Sequence, residues 1–245
     1  MCSIKNAGRL LCIAAILCVL ARPASAAVID FTGTGLGVGG NTFTYNGSGL
    51  GTFFAGELNW SWTSGMPTGY TSSFYAYCVD IQHVLWDPET VAVGSTDFLT
   101  VSGVPNAGGK AAWLFNTYAA SVHASGNATY GAALQIAIWE SLYDTSANLS
   151  GGNLTVSTSS AVATQAMVYL NALYSGGAHT SVATWLDAPT NYGQDQMIAM
   201  PAPEPASIIL CGSGCMLLAH SLRRWRRSAS RSGSSVRPGG AAPMI

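Results

Sequence analysis

The chain has 245 residues, a formal net charge of −1, only 9% charged residues and 49% hydrophobic ones. The near-neutral sum hides an uneven distribution. All eleven acidic residues lie between Ala27 and Pro205, where Lys110 is the single basic residue, so this stretch carries a charge of about −10. That excludes nucleic acid, a polyanion, as a natural partner.

The first residues read as an export signal. Lys5 and Arg9 form a positive start, Leu10 to Leu20 is an unbroken apolar run, and Ala24-Ser25-Ala26 is a small-residue cleavage site. The run is too short to span a bilayer, which favours a secretory signal peptide over residues 1–26 rather than an anchor or a buried helix. Cys2, Cys12 and Cys18 fall within it.

Residues 27–200 are long enough for one domain with a real core. Their first half is rich in Gly, Thr and aromatic residues: the run Gly33 to Gly40, then Thr42-Phe43-Thr44-Tyr45, Gly51-Thr52-Phe53-Phe54 and Glu57 to Trp62. Short alternating segments broken by glycine are expected to form antiparallel strands joined by tight turns. The glycine run is expected to be a loop. It is no dinucleotide fingerprint, having no strand before it and no helix after it. Ser73 to Ile81 is a further strand, ended near Asp87-Pro88, and Val91 to Val101 one or two more.

Helical character begins after Pro105. Asn106 to Ala120, Ala128 to Tyr143 with Asn127 as N-cap, and Ser157 to Tyr174 ended by Ser175-Gly176-Gly177 are expected helices. Thr180 to Leu186 and Gln194 to Met200 return to strand. The order predicts an α+β fold, an antiparallel β-sandwich or barrel with an inserted helical cluster.

The end of the chain has three parts. Pro201-Ala202-Pro203-Glu204-Pro205 is stiff and cannot be helical. Ala206 to Leu222, with Cys211 and Cys215, is an apolar stretch only marginally long enough for a transmembrane helix. Arg223, Arg224, Arg226 and Arg227 follow, a cluster that stays on the cytoplasmic side. Residues 201–227 resemble the PEP-CTERM sorting signal, with Pro203, Glu204 and Pro205 as its signature. The resemblance implies recognition by an exosortase-type enzyme, an anchor held at least transiently, and delivery to the cell surface or an exopolysaccharide matrix. A simple single-pass anchor is the alternative. Residues 228–245 form a Ser/Gly/Arg/Pro-rich tail with the composition of disorder.

With the ends set aside, Cys78 is the only cysteine left, in Tyr77-Cys78-Val79-Asp80. It has no cysteine to pair with, so its thiol is either buried and inert or reactive. The second expected helix holds Leu134-Gln135-Ile136-Ala137-Ile138-Trp139, apolar almost all round, with an amide in its middle that would be costly to leave unpaired. Gly131 and Ala132, one turn earlier, leave room for another segment to approach. Taken alone, Gln135 reads as a buried glutamine bonded to backbone.

Together the two segments resemble the motifs of bacterial thioester domains, in which an aromatic-Cys-apolar-acidic/amide strand meets an apolar-Gln-x-apolar-apolar-Trp helix. The resemblance implies a bond between Cys78 Sγ and Gln135 Cδ, supported by Tyr77, Asp80 and Trp139, with Tyr77 and Trp139 shielding it from water. Such a bond reacts once with an amine or, more slowly, a hydroxyl, so the expected product is a covalent attachment and not enzymatic turnover. No cofactor is implied. The other class of reading is a non-covalent matrix or biofilm protein in which the two residues are only packed together.

Three histidines remain. His83 could act as a base or acyl acceptor near the bond, or be an ordinary polar residue at a strand end. A Cys-His hydrolase using Cys78 with His123 or His179 is the enzymatic alternative. No pair of His, Cys or Asp has zinc-like spacing. The Asn-x-Ser/Thr triplets at Asn46, Asn59, Asn127, Asn148 and Asn153 are expected by chance in a chain of this composition.

Overall fold

The protein is described by a computed structural model covering residues 26–177, 179–189 and 193–201. The expected signal peptide, Pro203 to Pro205, the apolar stretch, the arginine cluster and the tail lie outside these residues. Among the described residues no helix is long and apolar enough to cross a membrane.

Two long strands open the fold, β1 (Ala26–Tyr45) and β2 (Ser48–Ser64). They are joined through Asn46 and Gly47, both at positive φ (49° and 77°), in a two-residue hairpin that pairs Tyr45 with Ser48. Asn-Gly is the natural choice because both central positions of such a turn need φ above zero. This corrects the reading of the glycine run as a loop between short strands: Gly33 to Gly40 lies inside β1. Its glycines fall where the β1–β2 register shifts, as between Phe31 and Gly33 and between Thr34 and Gly37. These are bulges, which bend strands without ending them. At one crossing no side chain fits. A Cβ on Gly37 would sit 2.3 Å from the Ala55 carbonyl oxygen, and one on Gly56 2.3 Å from that of Leu36.

The remaining strands are β3 (Ser73–Cys78), β4 (Glu89–Ser95), β5 (Leu154–Ser157), β6 (Thr184–Asp187) and β7 (Gln196–Ile198). The second strand expected before Val101 is instead a 3-10 turn, Thr96–Phe98, capped by Ser95 Oγ. The helices are α1 (Ala107–Ser125), α2 (Ala128–Tyr143) and α3 (Ser160–Tyr174). The third expected helix loses its first residue, Ser157, to β5, whose partner is the far end of β1.

Over the described residues the fold is therefore α+β, with one seven-stranded antiparallel sheet and three helices placed between β4 and β6. In place of two packed sheets there is a single sheet in the order β2-β3-β7-β6-β4-β1-β5, and β1 also pairs with β2. Six strands thus form a closed circuit of pairings. Each of the six contributes to one apolar cluster, through Ile29, Trp60, Ala76, Val91, Leu186 and Ile198. A second, larger cluster joins the helices to the sheet. At its centre is α2, buried at every residue from Gly131 to Tyr143. Leu134, Ile136, Ile138 and Leu142 are fully covered, and each contributes roughly 1.5–3 kcal/mol. Asn127 caps the helix as expected, its side chain accepting from Thr129 N at 2.9 Å. The small residue before Gln135 has the role expected of it: a Cβ on Gly131 would lie 2.2 Å from the Leu36 carbonyl oxygen of β1.

Candidate functional site

Cys78 ends β3. On one edge this strand pairs with β7, Cys78 opposite Gln196, and Val79 N–H continues the ladder to the Asp195 carbonyl at 2.9 Å. On the other edge, pairing with β2 reaches only Leu58–Ala76. Beyond it, the Cys78 N–H and C=O face away from β7 and would be buried without partners.

Gln135 supplies both. Its Oε1 accepts from Cys78 N at 2.9 Å and its Nε2 donates to Cys78 O at 2.8 Å, so the side-chain amide stands in for the missing strand. Gln135 is 1% exposed and Cys78 2%. The sulfur is held separately, in a tight turn. Cys78 Sγ donates to the Asp80 carbonyl at 2.9 Å and accepts Asp80 N–H at 3.3 Å. Burial pushes the Cys78 thiol well above its usual range, so it is a thiol and not a thiolate.

Cys78, Gln135 and Trp139 line one cavity of about 280 Å³. Trp139, one turn beyond Gln135 on α2, packs edge-on against Phe43 with ring centroids 5.1 Å apart. Its indole N–H comes close enough to the thiol to offset part of the rise in pKa, yet meets no acceptor in hydrogen-bond geometry. Phe31, Phe53, Phe54 and Leu58 from the hairpin complete an apolar wall.

Tyr77, expected beside Cys78 as a shield, does not line this cavity. Strand alternation sends Tyr77 to the opposite face from Cys78. Its hydroxyl donates to Glu57 Oε1 at 3.3 Å and its ring meets Phe115 edge-on. The aromatics that line the cavity are Trp139 and phenylalanines of β1 and β2, whose place there depends on the hairpin register, for which no local pattern exists.

Asp80 acts through two parts. Its backbone holds the sulfur, while its carboxylate accepts Gln82 N–H at 2.9 Å and pairs with Nδ1 of His83. His83 lines the same cavity and is 44% exposed. The loop carrying both is pinned on two sides: Ile81 N donates to Tyr143 Oη at 3.3 Å, and Gln194 Nε2 to the carbonyls of Asp80 and His83 at 3.1 and 3.3 Å. Neither Tyr143 nor Gln194 was marked by any sequence motif.

The other histidines lie elsewhere. His123 Nδ1 is 3.0 Å from Glu57 Oε2 and its ring stacks on Tyr75, while His179 stacks on Trp113. Neither lines the cavity with Cys78, so the hydrolase pairings of Cys78 with His123 or His179 are not assembled. Gln165 on α3 interacts with Tyr169 and is likewise not part of the cavity wall.

Comparison of the chain with protein-family models, curated proteins and solved structures returned no match.

Proposed function

We propose that residues 27–200 are an exported surface or matrix domain that attaches itself covalently to a target through an internal thioester between Cys78 and Gln135. The observation that carries this reading is the seating of the Gln135 carboxamide against Cys78 itself, at the wall of a cavity lined by aromatic side chains. Turning the Cys78 side chain from Asp80 toward the amide would let Sγ attack Cδ. The S–C bond forms, the C–N bond breaks, and the thiol proton leaves with the nitrogen as ammonia. The Cys78 N–H, already donating to Oε1, would then polarise the thioester carbonyl and stabilise the oxyanion formed when a nucleophile adds. The apolar wall keeps bulk water from spending the bond early.

Delivery fits the same reading. The signal peptide exports the chain, and the Pro203-Glu204-Pro205 element, apolar stretch and arginines form a sorting tail for an exosortase-type enzyme. A single reaction per molecule makes this a covalent adhesive and not a turnover enzyme, with exopolysaccharide or a neighbouring surface as target.

The intact mass of the exported protein tests it. A thioester leaves the protein lighter by one ammonia, methylamine adds its own whole mass and leaves the chain one CH2 heavier than the unreacted form, and C78A removes the deficit while Q165A does not. A full mass, with Cys78 titrating as one thiol once the protein is denatured, sinks the proposal.

One observation favours a second reading. The two Gln135 hydrogen bonds already satisfy the Cys78 backbone completely, and such a pair would serve a purely non-covalent matrix protein equally well. The same mass measurement separates the two.

A further inference from the structure

Resting on the thioester reading, we infer that the site is built for neutral hydroxyl acceptors of the kind a polysaccharide carries, with His83 as the general base that activates them and Asp80 as its positioning residue. The first argument is the character of the cavity. Its lining includes Phe31, Phe53, Phe54, Leu58, Ile81 and Val84, and no carboxylate side chain. An alkylammonium ion, the form most amines take at neutral pH, would lose its water there and find no carboxylate in the wall to pair with, the nearby Asp80 carboxylate being taken up by Gln82 N–H and His83 Nδ1. A hydroxyl group carries no such penalty, but it is a weak nucleophile and needs a base.

The second argument is that a base stands in the right place. His83 belongs to the cavity wall and is also the exposed one among the titratable side chains there, whereas Cys78 is buried. An acceptor entering from solvent therefore meets His83 on the way to the bond. The Asp80 carboxylate holds Nδ1, which fixes the ring and leaves Nε2 as the proton acceptor. That carboxylate is fixed in turn by Gln82 N–H, and the loop by Gln194 and Tyr143.

The step balances. Nε2 of His83 takes the hydroxyl proton as the oxygen adds to Gln135 Cδ. The C–S bond then breaks, and the departing Cys78 sulfur receives that proton from His83. The product is an ester between the former Gln135 side chain and the acceptor, with a free Cys78 thiol.

The test uses the exported full chain and two probes, glycerol and methylamine, offered in competition and read by intact mass. Wild type is expected to form the glycerol ester, and H83Q to lower the ester-to-amide ratio about 100-fold, the contribution of a positioned base. D80N, which keeps the imidazole but removes its holder, is expected to lower the ratio by about tenfold or more, and serves if H83Q does not assemble the bond. A ratio unchanged in both variants overturns the role of His83 and leaves the thioester standing. So does a wild type that carries the ammonia deficit and takes only methylamine. A wild type of full mass overturns the thioester, and this inference with it.

Discussion

Gln135 and Cys78 exchange two hydrogen bonds, 2.9 Å from Cys78 N to Oε1 and 2.8 Å from Nε2 to Cys78 O, across 57 residues of sequence. The contact is reciprocal and fully buried, so its two halves are unequal targets for mutation. Removing the sulfur leaves both bonds in place, whereas removing the amide orphans a buried N–H and C=O. Q135A is expected to cost about 2–4 kcal/mol and C78A about 1 kcal/mol. Urea denaturation of the two variants measures the difference. Equal losses would mean that the amide does not close the edge of β3.

Three buried carboxyl groups set the pH dependence of stability. Burial raises Glu140 from 4.5 to about 8 and Glu89 from 4.5 to about 7, and it raises Asp195 from 3.8 to about 6. One oxygen of Glu140 and one of Glu89 have no hydrogen-bond partner, as expected of groups held as neutral acids. Between its unfolded and folded pKa each acid binds more protons when folded. Its stabilising contribution is therefore complete below the unfolded value and declines as pH rises to the folded one. Denaturation at pH 5 and at pH 8 should show the protein less stable at pH 8, by on the order of a few kcal/mol. E140Q should flatten the upper part of the curve. A stability that climbs over this interval would contradict the assignment.

The seat of α2 on β1 is the tightest helix–strand approach near the site. G131A would force a methyl group to within 2.2 Å of the Leu36 carbonyl oxygen, so the helix must shift outward, at about 1–3 kcal/mol. Gln135, one turn on, shifts with it. A lower melting temperature and a reduced share of molecules with the ammonia deficit are expected together. Retention of both would show that the helix can yield without moving the amide.

The start of the same helix offers a milder change. N127A removes the side chain that accepts from Thr129 N and Tyr130 N, and should cost about 1 kcal/mol in a melting or denaturant experiment. The mass deficit should survive, because the cap lies two turns from Gln135.

The limits of α2, Ala128 to Tyr143, were legible in the sequence because a local signal marks them: an amide cap, then a mostly apolar run. The Cys78–Gln135 pairing was legible from two short motifs whose residues do meet. Glycine misled the reading of β1, since a glycine at a bulge and one in a loop look alike without the partner strand. β5 went unmarked for a similar reason, with only its last residue, Ser157, read as helix: Leu154–Ser157 is a strand because β1 lies beside it. The direction of Tyr77 followed from strand alternation and needed only to be applied. Phe31, Phe53 and Phe54 reach the site through a register spread along two long strands, and nothing in their neighbours announces it.

β7 is three residues long, held between β3 and β6, and it is the last strand before the proline-rich segment. If the proposed sorting tail tethers the domain, its pull would reach the sheet there first. Only Ala199 separates Met200 from Ile198, and only Met197 separates Ile198 from Gln196, which lies opposite Cys78. The strand that would bear a tether's pull is thus the one that backs Cys78.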